Sequence, residues 1–185
     1  VQRDPGEWYI GGTMPAFSGP PPYGWVKRIN PISLETIAES PQLPCGDHVW
    51  CGAILVHANG SIMSVNGSFM HRLDPQDLSI ICERELPISR AHNGLLSLSD
   101  GTLVTKDLRL ESQGGTTLTF LEPERLTVLQ TLVLPEGSMG RIAADYSDGI
   151  ESIFVPGTEH IWQIEMVDGT GTITDWKAQY RTSKS

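Results

Sequence analysis

Two histidines stand at matching places in the chain. His48 follows the pair Leu43-Pro44 by four residues, and His92 follows Leu86-Pro87 by five. Asp47 precedes the first, and Arg90 lies two residues before the second. After the third such pair, Leu134-Pro135, the same place holds Ser138, Met139 and Arg141 and no histidine. Neutral imidazole ligates divalent metal ions and moves protons near neutral pH. His48 and His92 are therefore expected as metal ligands or acid–base groups. Asp47, Arg90 and Arg141 are expected in the same catalytic cluster, with either arginine steadying an anion. Two imidazoles do not make a metal site, so a divalent ion would need a third ligand from elsewhere. The plainer alternative is that each imidazole satisfies a buried backbone group, and both readings stand.

Other candidates are weaker. Lys106, Asp107 and Arg109 could bind an anion at the same place, although a solvated loop is the expected setting. Arg28 and Arg72 share a position in a repeated phrase and are expected to pair structural units. His57 beside a turn and His160 within a strand are expected to be non-catalytic. Cys45, Cys51 and Cys82 form no closely spaced pair, so they read as small apolar residues rather than a zinc site. The chain contains no GxSxG elbow, phosphate-binding loop or dinucleotide fingerprint.

The 185 residues carry a formal net charge of −9, with 39% hydrophobic and 19% charged positions. This suits one globular domain and argues against nucleic acid or an anionic membrane as a partner. No apolar run is long enough to form a membrane-spanning helix. The start, Val1-Gln2-Arg3-Asp4, is neither a signal peptide nor an initiator methionine, and the compartment is left open.

The elements that must position these residues repeat. Trp25-Val26-Lys27-Arg28-Ile29-Asn30-Pro31 is answered by Phe69-Met70-His71-Arg72-Leu73-Asp74-Pro75. Thr117-Leu118-Thr119-Phe120-Leu121-Glu122-Pro123 follows, then a degenerate His160-Ile161-Trp162-Gln163-Ile164-Glu165. Anchored on Ile29, Leu73, Leu121 and Ile164, the spacings are 44, 48 and 43. The Leu-Pro pairs and the turn pairs Asn59-Gly60, Asp100-Gly101 and Asp148-Gly149 keep the same phase. Each unit reads as four short strands, in the second unit near 48–58, 61–65, 68–73 and 78–86. Asn or Asp followed by Pro favours a type I turn between third and fourth strands, and Asn-Gly or Asp-Gly a tight hairpin between first and second. Four strands per unit of this length mark an all-β, β-propeller architecture of four-stranded antiparallel blades.

The phrases "HRLDPQDLSIICERELP" and "NGLLSLSDGTLVTKDL" resemble repeats of the surface-layer-type, quinoprotein-like and lactonase-like seven- and eight-bladed propellers. The resemblance covers about residues 23–180. It implies the fold and no single activity, because that group holds hydrolases, lyases, dehydrogenases and binding platforms. The tryptophan-docking pattern of its quinoprotein dehydrogenases is missing. Trp8, Trp25, Trp50 and Trp162 read as core between blades.

The expected boundaries are blade one 4–43, blade two 44–87, blade three 88–135 and blade four 136–181, forming one segment of a larger ring. Residues 4–13 parallel 148–158, so blade one lacks its innermost strand. The Pro-rich stretch from Pro15 to Pro22 reads as a surface loop within it. An unpaired edge is an aggregation hazard, and the five residues after Tyr180 are too few to fill it. A second chain or a second copy is expected to complete the propeller. The remaining option is a four-bladed ring with a defective first blade. The functional expectation is a hydrolase- or lyase-type subunit holding a small molecule at the central channel mouth. The alternative is a non-catalytic interaction module completed by strand addition from a partner chain.

Overall fold

The computed structural model describes residues 7–14, 21–48 and 52–179. The strands fall into four antiparallel sheets in chain order. The first holds β1 (Trp8–Met14), β2 (Tyr23–Ile29), β3 (Thr36–Glu39) and β4 (Leu43–Pro44). The second holds β5 (Ala53–Val56), β6 (Ile62–Asn66), β7 (Phe69–Leu73) and β8 (Ile80–Glu85). The third holds β9 (His92–Ser97), β10 (Leu103–Asp107), β11 (Thr117–Leu121) and β12 (Val128–Val133). The fourth holds β13 (Ala143–Ser147), β14 (Ile150–Pro156), β15 (His160–Val167) and β16 (Thr170–Gln179). The Pro-rich stretch lies largely outside the described residues, as do Trp50 and Cys51.

The register fixes which residues are equivalent. Trp8 pairs with Ile29, Ile62 with Leu73, Leu103 with Leu121 and Ile153 with Ile164. β1 therefore occupies the second-strand position of its blade. β3 and β4 lie one after the other along the same edge of β2, so this sheet is three strands wide. The fold is an all-β propeller segment, and among the described residues its first blade holds no strand at the innermost position.

Consecutive sheets stack through one apolar seam each. Tyr9, Val26 and Leu43 meet Ile62, Leu73 and Leu78. Met63, Val65 and Met70 meet Leu103, Leu121 and Leu126. Val104, Leu118 and Phe120 meet Ile153, Trp162 and Ile164. Residues on opposite faces of a strand thus serve opposite neighbours, which is why β6, β10 and β11 are buried throughout. Trp162 sits in a seam as expected, but Trp8 is 43% exposed. Its side of the first sheet meets no described blade.

The turns between third and fourth strands are capped by a side chain, as the Asn-Pro and Asp-Pro pairs lead one to expect, and add a strained leucine that the dipeptides did not announce. The Asn30 side chain accepts from the amides of Ile32 and Ser33, Asp74 from that of Gln76, and Glu122 from those of Glu124 and Arg125. Four residues after each of them, Leu34, Leu78 and Leu126 adopt positive φ of 60°, 61° and 56°. A left-handed conformation costs a leucine about 1–2 kcal/mol. Leu78 and Leu126 offset it by complete burial in the seams, whereas Leu34 is 65% exposed.

Candidate functional site

His48 lies between β4 and β5, and its Nε2 donates to the carbonyl of Ser89 at 2.8 Å. His92 opens β9 and is fully buried. Its Nδ1 faces two carbonyls, Arg90 at 2.9 Å and Gly67 at 3.2 Å, so Nδ1 carries the proton. Among the described residues its Nε2 has no hydrogen-bond partner. Burial lowers the His92 pKa, against an opposing pull from the Arg90 carbonyl and Asp107, and keeps the ring neutral. Both histidines thus tie to backbone in the stretch that leads into β9.

The other three predicted residues do not gather around them. Asp47 is exposed and lines a groove of about 420 Å³ with Cys45, Gly46 and Phe69. Arg141 is exposed and lines a separate cavity of about 280 Å³. Arg90 is half-buried and borders neither. Among the described residues, no three His, Cys, Asp or Glu groups come together as a metal site.

The cavity at Arg141 is lined by residues of the first and second blades and of the stretch entering the fourth. Gly11 and Gly12 of β1, Gly52 ahead of β5, and Ser64 and Asn66 of β6 form the rest of its polar and backbone wall. Behind it, Asn66 donates to Ser64 Oγ at 2.9 Å and lies 3.5 Å from Nδ1 of the fully buried His71. Burial pushes the His71 pKa down to about 4.

Lys106, Asp107 and Arg109 form a different object from the expected solvated loop. Lys106 and Asp107 are fully buried at the end of β10. The ammonium donates to Asn93 Oδ1 at 2.7 Å and to the carbonyl of Ser138 at 3.0 Å. Asp107 accepts from the Thr117 amide at 2.6 Å and from Arg109 Nε at 2.5 Å. Asn93 donates in turn to the carbonyl of Met139 at 2.8 Å. Burial lowers the Lys106 pKa to about 8, with Asp107 opposing. These groups fasten the third blade to the chain entering the fourth. The sequence did hold a signal: Lys106 shares register with Val65, which is buried in a seam.

Structural roles expected from repeat position are present. Arg28 donates to the carbonyl of Pro75 in the next blade, and Arg72 to the carbonyl and carboxylate of Glu124 in the blade after. His57 Nε2 donates to the carbonyl of Gly101 at 2.8 Å, again between blades.

No family model and no curated protein sequence matches the chain. Solved structures of propeller type do. The hydrazine synthase of Kuenenia stuttgartiensis superposes with a TM-score of 0.62 at 12% identity, over 82% of this chain and 49% of that one. BBS1N, solved in complex with ARL6DN, gives 0.57 at 15% identity, over 92% of this chain and 53% of that one. The dihydro-heme d1 dehydrogenase NirN gives 0.52 at 15% identity, over 80% of this chain and 32% of that one. The chain thus spans about half the length of the first two. At these identities the likeness carries the fold alone, and that fold is shared by enzymes and by a protein held in a protein–protein complex.

Proposed function

We propose that the chain is a half-propeller interaction module, completed by association at its first blade. One observation carries this reading. Leu34 and Trp8 are exposed, while the residues at the same repeat positions, Leu78 and Leu126, then Ile62, Leu103 and Ile153, are completely buried against a preceding blade. A strained leucine kept at an exposed turn makes physical sense where a neighbour covers it.

The occupant we assign to this face is the fourth blade of a second copy. The far side of that blade carries Phe154 and Ile161 half-exposed, with Trp176 edge-on to Phe154 at 5.9 Å. Phe154 shares register with Met63 and Val104, and Ile161 with Met70 and Leu118, all buried against a following blade. The two ends therefore carry the two halves of the contact used at every internal junction. Two such contacts close a ring of two copies, and the half-length overlap with BBS1N and hydrazine synthase accords with that.

Native mass of the purified chain tests it. The expected species is twice the chain mass of 20.3 kDa. Leu34→Asp should return it to a single chain without loss of fold. A wild-type chain that stays single at tens of micromolar overturns the second copy as occupant. So does a longer form of the chain that stays single while Trp8 becomes buried.

The alternative, a small-molecule hydrolase or lyase site using His48 and His92 as acid–base groups or as ligands of a divalent metal, is favoured by the Nε2 of His92, which has no hydrogen-bond partner among the described residues. Zinc or manganese uptake that is lost in His92→Gln, with the fold retained, would support that reading. No uptake by the assembled ring would remove its metal form.

A further inference from the structure

The groove of about 420 Å³ at Asp47 lies where the first two blades meet. Tyr23 opens β2 and pairs with Pro44 of β4, and Phe69 opens β7 in the second blade. Buried Leu43 and Cys45 also line it, and exposed Asp47 stands at its border. Gly46 holds a positive φ of 65°, and a Cβ there would lie 2.6 Å from Ser68 Oγ. That tight turn, tied by the Ser68 amide to the Cys45 carbonyl at 3.2 Å, sets Asp47 beside the groove. The fold does not demand this lining. One junction on, the residues at the repeat positions of Tyr23, Phe69 and Asp47 are Gly67, Thr117 and Arg90. Two aromatic rings give way to a glycine and a threonine, and the carboxylate to a cation. The blades pack there all the same, through Met70, Leu103 and Leu121. Asp47 has no ion pair among the described residues. Burial, and after it the charge of Asp47, raises the pKa of the Cys45 thiol, so the field of the carboxylate reaches the groove lining.

We infer that this groove binds a small organic cation, an apolar ring carrying an ammonium group. The ring lies against Tyr23, Phe69 and Pro44, and the ammonium pairs with Asp47. Pockets of roughly 300–1,000 Å³ lined by apolar and aromatic side chains, with few polar groups, are the usual seats of small ligands. The single carboxylate selects the charge, and the faces of the two aromatic rings favour a cation over a neutral group. The net charge of −9 adds a general attraction for cations. The groove lies at a junction inside the chain, so it does not depend on association at the first blade.

The probe is phenethylammonium, titrated into the isotope-labelled chain at about 0.15 M salt while backbone amide shifts are followed. Saturable shifts at Cys45, Gly46, Asp47 and Phe69 are expected, with a Kd of about 0.1–1 mM. Asp47→Asn should weaken binding of the amine by about three- to fivefold and leave the weaker binding of neutral phenethyl alcohol unchanged. Phe69→Thr should abolish binding of both, with unmoved amides in the third and fourth blades as the sign that the fold is kept. Asp47 is exposed, so its variant decides the matter even where Phe69→Thr does not fold. The anion hydrocinnamate, of similar shape, should not bind. No saturation up to about 10 mM amine, shifts centred on other residues, equal binding of hydrocinnamate, or an Asp47→Asn chain that binds the amine as well as wild type would each overturn the proposal.

Discussion

The turn at Leu34 and the turns at Leu78 and Leu126 have the same backbone and different surroundings. In each, an Asn, Asp or Glu side chain caps the first amides and the leucine holds positive φ. In the two later turns the leucine fills a seam, and in the first it meets solvent. Local conformation here is set by the repeat, while burial is set by the neighbour. Under the association proposed above, the residue whose strain is not offset within the chain is the one that the second surface would cover.

The sharpest way to break this comparison is paired substitution. Leu78→Ala should lower stability by about 2–4 kcal/mol in urea unfolding, because it opens a cavity in a closed seam. Leu34→Ala should change the separated chain by less than about 1 kcal/mol. Equal losses would mean that the first turn is already covered. The same contrast holds between Leu103→Ala and Trp8→Ala, which share a register position.

The buried lysine tests whether the third junction differs in kind. Lys106→Met leaves Asn93 Oδ1 without its donor and should cost about 1–3 kcal/mol. It should also change the alkaline limb. The folded pKa lies near 8, below the ordinary 10.5, so the unfolded chain holds the proton more tightly between these values. Wild-type stability should rise as pH climbs from about 8 to 10.5, and Lys106→Met should lose that rise.

His71 gives a smaller effect on the acid side. Its folded pKa near 4 lies below the ordinary 6.5, so stability should fall as pH drops from 6.5 to about 4. His71→Gln should flatten part of that fall, with the remainder belonging to His92, which burial shifts the same way. Smallest of all, Arg72→Ala removes an ion pair to the exposed Glu124, a bond to its carbonyl and a bond to Ser61 Oγ, and should lower the urea midpoint only slightly. An unchanged urea midpoint would show that the Arg72 pair adds nothing to the seam and to the His57–Gly101 bond between those two blades.

Much of the fold was legible because its marks are local and repeated. The capped Asn-Pro and Asp-Pro turns, the Asn-Gly and Asp-Gly hairpins and the paired anchors Ile29, Leu73, Leu121 and Ile164 all act within a few residues. Among the described residues, the first blade has no innermost strand, as the parallel between 4–13 and 148–158 led one to expect. The site was less legible. Lys106 and Asp107 read as solvated because charge usually is, and only the partners Asn93, Ser138 and Thr117 make their burial tolerable. Trp8 read as core because apolar alternation says which face is sticky and not whether anything covers it. Matching positions for His48 and His92 predicted a common neighbourhood, and both do reach the stretch before β9. Spacing could not say that Asp47 and Arg141 border different cavities, because that depends on how loops from separate blades converge.

The three apolar seams each join two consecutive sheets, and none spans three. Mechanically this is a row of plates glued face to face. A pull applied between the two ends would load the seams in series, so the weakest would part first and shield the others. Under tension the chain should yield in separate steps, one sheet at a time, and the order of the steps would rank the seams directly.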